Sequence, residues 1–171
     1  MEQKKDYSKY LVLYSGGADS THFIESEPTA KHLIFYEGRN KEQLNVAITN
    51  ANLLDKYITI IKGGNQPSRD GETNQIHSLY DTHMALDASI KAVSHGMKGI
   101  IMCFNADDIG INAEAIVDIM RKAEPEFELL QPLRQTKATE IRTKLKSSKL
   151  KTVSCMNGND CGYCAKCIKK Y

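Results

Sequence analysis

An apolar run that breaks into two adjacent glycines is the feature that most limits what this chain can become. Tyr10-Leu11-Val12-Leu13-Tyr14 leads into Ser15-Gly16-Gly17-Ala18-Asp19-Ser20 and then into a helix-like segment. The run reads as a buried first strand that delivers a loop onto a helix N-terminus. Paired glycines remove the side chains that would hold a polyanion away, and they permit backbone angles at which successive N–H groups point into one concavity. Ser15 and Ser20 add hydroxyl donors, and a helix beginning near Asp19 brings its positive dipole end to the same place. The plainer alternative is a strand-to-helix connection whose glycines only turn the chain. No lysine follows the glycines, so the Gly-x4-Gly-Lys-Ser/Thr phosphate loop is excluded.

The rest of the chain repeats this strand-then-helix rhythm. A short helix is expected over Ser20–Glu25, closed by Pro28, and His32–Tyr36 then reads as a buried strand. Leu44, Ala47, Ile48, Ala51 and Leu54 recur at helical spacing, which predicts a helix from Lys41 to Asp55, followed by a strand at Ile58–Ile61. Lys62 to Tyr80 is polar, carries Gly63-Gly64, Pro67 and Gly71, and reads as a long loop. Met84, Ala88 and Ala92 mark the next helix, Gly99–Phe104 a fourth strand, Ile116, Ile119, Met120 and Ala123 a helix, and Phe127–Leu130 a fifth strand. Thr136–Leu145 should be the last helix, with Thr136 as its cap.

Such alternation implies an α/β fold: a Rossmann-like parallel sheet with helices on both faces. Ligands of these sheets lie beyond the carboxyl ends of the strands, where strand order reverses. Three polar loops are expected to share that mouth: the Ser15–Ser20 loop, Tyr36-Glu37-Gly38-Arg39-Asn40, and Asn105-Ala106-Asp107-Asp108.

At 171 residues the chain fits one domain with a small appendage, and its net charge of +2 is too small to argue for a nucleic-acid coat. No apolar run approaches the roughly 18 residues of a membrane span, so a cytoplasmic protein without membrane contact is expected. Four of the five cysteines crowd the C-terminus as Cys155, Cys161, Cys164 and Cys167. Their C-x5-C-x2-C-x2-C spacing is a metal pattern rather than a disulfide pattern, with tetrahedral zinc favoured and an iron–sulfur cluster as the competitor. The remaining Cys103 reads as a buried apolar thiol. His22, His77, His83 and His95 show no ligand spacing.

These motifs carry a resemblance. Ser15-Gly16-Gly17-Ala18-Asp19-Ser20 after a strand looks like the PP-loop of the N-type ATP pyrophosphatases, which cleave ATP between its α and β phosphates and adenylate a substrate. Taken with Ser154–Gly158 and Cys161-Gly162-Tyr163-Cys164-Ala165-Lys166-Cys167, it resembles the 7-cyano-7-deazaguanine synthase (QueC) family. Phe35–Asn40, Asn105–Asp108 and Pro132-Leu133 with Lys137 extend the likeness over most of the chain. It implies ATP and magnesium as cofactors beside zinc, and the conversion of a 7-carboxy-7-deazaguanine-like carboxylate with ammonia to an amide or nitrile. It further implies that Ser15, Gly16, Gly17, Ala18 and Ser20 hold the pyrophosphate, with Tyr36 beside the nucleotide. Asp19 would organise magnesium and Lys137 would neutralise phosphate charge. Arg39, Asn105 and Asp108 would face the substrate.

Residues 1–150 are then the ATP-binding α/β domain and 151–171 a zinc-binding tail packed on it. Because opposite ends of the chain feed the loop and the cysteines, substitutions in one are expected to leave the other intact. The chain departs from the family at Ser78–Asp81 and Ile109–Glu114, which opens the acceptor to another carboxylate, including one on a protein or other macromolecule. Nucleic acid is not expected as a direct partner, and a homodimer is compatible with the chain. The alternatives in other classes are a tRNA-modifying thiolation or amidation enzyme of related chemistry and a non-enzymatic zinc-binding module.

Overall fold

The computed structural model describes residues 5–38, 40–62, 74–155, 158, 161, 162 and 167. Five strands, β1 (Tyr10–Leu13), β2 (His32–Tyr36), β3 (Tyr57–Ile61), β4 (Gly99–Met102) and β5 (Glu128–Leu130), form one sheet in the order β3-β2-β1-β4-β5. Every neighbouring pair is parallel. Among the described residues α1 (Ala18–Ser26), α2 (Lys41–Leu53), α3 (Asn74–Ser94) and α4 (Ala113–Met120) connect the strands, and α5 (Ala138–Leu145) follows β5.

The two-residue period of the strands divides the core. Tyr10, Val12, Leu33 and Phe35 point to one face, where Phe23 and Ile24 of α1, Ala47 and Ala51 of α2 and Ile141 of α5 cover them. Leu11, Ile34, Ile100 and Met102 point to the other, against Ala85, Ala88 and Ala92 of α3 and Ile116 and Met120 of α4. The small alanines of α3 let that helix lie close to the sheet. This is the expected α/β fold, with helices on both faces. No helix among the described residues is long and apolar enough to cross a membrane.

Two local expectations need correction. Residues 62–80 are not all loop, because α3 begins at Asn74. The last helix breaker of the segment is Gly71, and beyond it nothing opposes the extension of the apolar pattern by several turns. Nor does Thr136 cap α5. Lys137 stands at the N-cap position without a side-chain cap bond, and the Ala138 N–H donates instead to Asp107 Oδ2 at 2.9 Å. That cap comes from the loop after β4, a distant part of the sequence.

Lys56 closes the connection between α1 and β2 from beneath. Its ammonium, on a residue only 7% exposed, donates to the carbonyls of Glu27 (3.1 Å) and Ala30 (2.8 Å). Burial, with the Lys31 charge adding to it, pulls its pKa down from 10.5 to about 8. Lys56→Met strands both carbonyls and should cost about 1–3 kcal/mol at neutral pH. The depressed pKa has a defined sign. Between pH 8 and 10.5 the unfolded chain holds more protons at this position than the folded one, so stability rises with pH there. Denaturant titrations should find the wild-type advantage over Lys56→Met growing from pH 7 to 10. A pH-independent difference would show that the ammonium is not desolvated.

Candidate active site: the nucleotide loop, the β4 loop and the cysteine strand

The sheet reverses direction of growth between β1 and β4, and the loops that leave these two strands flank the resulting crevice. After β1, Gly16 takes φ +74°, a conformation that favours glycine. A Cβ there would lie 3.1 Å from the Gln43 carbonyl oxygen, so α2 packs directly against the loop. The polar groups of the loop turn inward. Ser15 N–H donates to Ser20 Oγ (3.3 Å), Gly17 N–H to Ser15 Oγ (3.3 Å), and the two serine hydroxyls lie 3.1 Å apart. Gly17 is the N-cap of α1, Ala18 opens the helix, and Asp19 stands in its first turn. The loop is thus a ring of small N–H and hydroxyl groups, hydrogen-bonded among themselves, at the positive end of a nine-residue helix.

After β4, Asn105 Nδ2 donates to Asp19 Oδ2 at 3.0 Å, joining the two loops across the crevice. Asn105 N–H donates to Asp108 Oδ2 (3.1 Å) and Asp107 N–H to Asn105 Oδ1 (2.8 Å), so the segment is folded on itself. Arg134, which sequence reasoning missed, fixes its shape. Its guanidinium donates to the carbonyls of Asn105 (2.8 Å), Asp108 (2.6 Å) and Ile109 (3.0 Å). No motif announces an arginine that recognises three carbonyls more than twenty residues away. Lys137, exposed, lies next to Ala138, whose N–H meets Asp107, so its backbone reaches the same strand-end region.

Tyr36 is turned the other way. Its hydroxyl donates to Asp87 Oδ2 (2.7 Å), with the Met84 carbonyl of α3 3.2 Å away, and burial together with that carboxylate holds the phenol well above its ordinary pKa. Burial also pushes the Cys103 thiol up, with the Asp19 carboxylate adding to it, in keeping with an apolar thiol. Arg39 lies outside the described residues, as does Cys164.

The C-terminal segment of residues 151–155, which is outside the sheet, crosses this site. Val153 N–H donates to the Gly16 carbonyl at 2.8 Å, and a Cβ on Gly17 would come within 3.4 Å of Ser154 Oγ. The expected independence of loop and cysteines is therefore corrected: opposite ends of the sequence meet here. Beyond Ser154, the thiols of Cys155, Cys161 and Cys167 lie within 4.8 Å of one another. Cys155 and Cys167 are buried, and Cys161 N–H donates to Cys155 Sγ at 3.4 Å. Tetrahedral thiolates about 2.3 Å from zinc stand about 3.8 Å apart, so a modest contraction brings these sulfurs to ligand spacing. An all-sulfur donor set suits zinc or an iron–sulfur cluster and not a hard cation.

No protein-family model matches the chain, and no curated protein matches it. Among solved structures, the chain is similar to the U34-tRNA thiolase NcsA from Methanococcus maripaludis, a structure containing a 4Fe–4S cluster. The TM-score is 0.62 at 14% identity, over 97% of this chain and 66% of the thiolase chain. A second likeness, to a predicted subunit of tRNA methyltransferase from Methanocaldococcus jannaschii, has a TM-score of 0.46 at 15% identity over 80% of this chain and 73% of that one. The likeness to the thiolase defines the fold as the PP-loop type of α/β fold, with a cluster of three described cysteines near its C-terminus.

Proposed function

We propose that this chain is an ATP-dependent adenylating enzyme. The observation that carries the reading is the joining of three parts at the β1/β4 switch point: the glycine loop, the Asn105–Asp19 bridge and the thiol-bearing strand hydrogen-bonded to Gly16. An acceptor oxygen attacks the α phosphorus, the bond from that phosphorus to the bridging oxygen breaks, and pyrophosphate leaves. Ser15, Gly16, Gly17, Ala18 and Ser20 hold the departing pyrophosphate, and Asp19, oriented by Asn105, organises magnesium. Lys137 neutralises phosphate charge, Asn105 and Asp108 are assigned to the acceptor, and Arg39 is assigned there from its place in the sequence after β2. Tyr36, whose hydroxyl is engaged by Asp87, offers a nucleotide only its ring. A nucleophile then attacks the activated carbon, and AMP departs with the acceptor's oxygen.

Two acceptors fit this scheme. The first is a carbonyl of a tRNA base, with sulfide as the nucleophile. It is supported by the fold shared with a tRNA thiolase and by the thiols held beside the nucleotide loop. In this reading Cys155, Cys161 and Cys167 would hold an iron–sulfur cluster, and with three thiolate ligands such a cluster would keep a position open for sulfide. The second is a carboxylate of the 7-carboxy-7-deazaguanine kind, with ammonia as the nucleophile. It is supported by the four-cysteine spacing and the Asn105-Ala106-Asp107-Asp108 segment, and it gives the same residues a structural zinc.

The test is incubation with ATP labelled at the α phosphorus and magnesium, in parallel with tRNA plus sulfide and with 7-carboxy-7-deazaguanine plus ammonium. Labelled AMP is the expected product, and the mixture in which it accumulates identifies the acceptor. Labelled ADP would mean transfer of the terminal phosphate and would overturn the proposal.

A further inference from the structure

The face of α2 that looks toward the C-terminus is polar, yet it does not face water. Asn50, only 1% exposed, donates to the Lys151 carbonyl at 2.7 Å. Gln43 Nε2 donates to the Val153 carbonyl at 3.2 Å, and Asn40 Nδ2 to the Cys155 carbonyl at 2.7 Å. The acceptors are alternate residues, as they must be if an extended strand shows one edge to its neighbour. Helix and strand also match in length. From position 40 to 50 a helix rises about 15 Å, and from 151 to 155 an extended chain covers about 13 Å, running in the opposite direction. The amide orientation at Asn40 is fixed independently, because its Oδ1 accepts the Glu42 N–H at 3.0 Å as the N-cap of α2. Only Nδ2 remains for Cys155. The same edge is anchored a second time, through Val153 N–H to the Gly16 carbonyl. Gln43 touches both partners, its side chain on the strand and its backbone carbonyl under Gly16.

We propose that Asn40, Gln43 and Asn50 form a latch that seats the 151–155 segment against both α2 and the nucleotide loop, so that metal at the cysteines and nucleotide at Gly16 bind cooperatively. The inference rests on the ATP-binding reading above, but the latch itself does not require nucleotide. Metal fixes Cys155, and Cys155 ends the strand whose middle residue holds the Gly16 carbonyl. Ordering of the strand by either ligand is then ordering that the other need not supply. Such coupling is reciprocal, and couplings of this kind are typically about 5- to 150-fold in affinity. The three side chains are positioning residues, since none needs to touch ATP or metal.

Asn40→Asp is the discriminating substitution. Aspartate caps a helix as well as asparagine does, so α2 keeps its N-terminus, but it cannot donate to the Cys155 carbonyl. Gln43→Ala removes the middle bond in a residue that favours helix, as a second route. Two measurements are made on wild type and both variants, stripped by chelator and then reloaded with Zn²⁺. The first is hydrogen exchange at the Val153 amide without nucleotide. The second is the affinity for the non-hydrolysable analogue α,β-methylene-ATP with magnesium. In the wild type, Zn²⁺ should slow Val153 exchange and tighten analogue binding about tenfold, and in both variants each effect should shrink to less than threefold. Val153 exchange unaffected by Zn²⁺ in the wild type, or equally affected in the variants, overturns the latch. Protection of Val153 that depends on the latch, in a protein that binds no analogue in any form, supports the latch and overturns the ATP reading instead. Analogue affinity indifferent to Zn²⁺, in a protein that does bind it, overturns the cooperativity.

Discussion

Gly16→Val is expected to reduce AMP formation by at least 10²- to 10³-fold, the usual cost of losing one preorganised donor to a developing anion. The reason is conformational before it is chemical. At φ +74° a β-branched residue is strained, and its Cβ would stand 3.1 Å from the Gln43 carbonyl, a backbone atom that cannot swing away. The loop must open or α2 must shift, and either change displaces the N–H groups of residues 15–17. Because Val153 is bonded to the same carbonyl-bearing residue, the variant should also hold metal less tightly. Product analysis with α-labelled ATP, run beside metal titration, reads both effects. Wild-type AMP production by this variant would mean that the loop does not hold the phosphates.

Cys155→Ser should have an effect of similar size by another route. Cys155 is 1% exposed, its sulfur accepts the Cys161 N–H, and its carbonyl is the terminal acceptor for Asn40. A thiolate metal site contributes folding free energy directly, about 10–16 kcal/mol for structural zinc in small peptides, and a three-sulfur remnant retains only part of it. Metal content is expected to fall below half an equivalent, and limited proteolysis should remove the chain beyond position 150 while the sheet survives. Elemental analysis of the wild type distinguishes the two occupants: about one colourless zinc, or several irons with visible absorption. Full metal content in Cys155→Ser would remove this cysteine from the ligand set.

The sequence was most legible where burial dictates it. β2 coincides with the predicted His32–Tyr36 because a strand covered on both faces keeps an apolar centre, Leu33-Ile34-Phe35, whereas α1 begins at Ala18, earlier than the expected Ser20, because the glycine turn ends at Gly17. Legibility failed where a residue answers to a distant partner. Asp107 caps α5 from a separate loop, so a reading that searches the preceding residue finds Thr136 instead. Arg134 reads as an ordinary surface charge until the three carbonyls it gathers are seen. Asn40, Gln43 and Asn50 resemble the wet side of an amphipathic helix, and a polar side chain paired with a backbone carbonyl leaves no imprint on the partner's sequence. The position of Tyr36 at a strand end was evident, but whether its hydroxyl served the mouth or α3 depended on an aspartate fifty-one residues later.

The Asp107 cap has a consequence for the sidedness of the crevice. Among the helices that begin near this mouth are α1 and α5, and each starts with amides that attract anions. At α5 the attraction is answered from within, because a carboxylate of the chain already accepts the Ala138 N–H and presents negative charge to anything that approaches. At α1 the N-cap Gly17 brings no side-chain cap, although Asp19 stands in the first turn. On the adenylating reading, the triphosphate tail is expected toward Gly17 and Ser20, where the helix start carries no side-chain cap, and away from the Asp107 carboxylate.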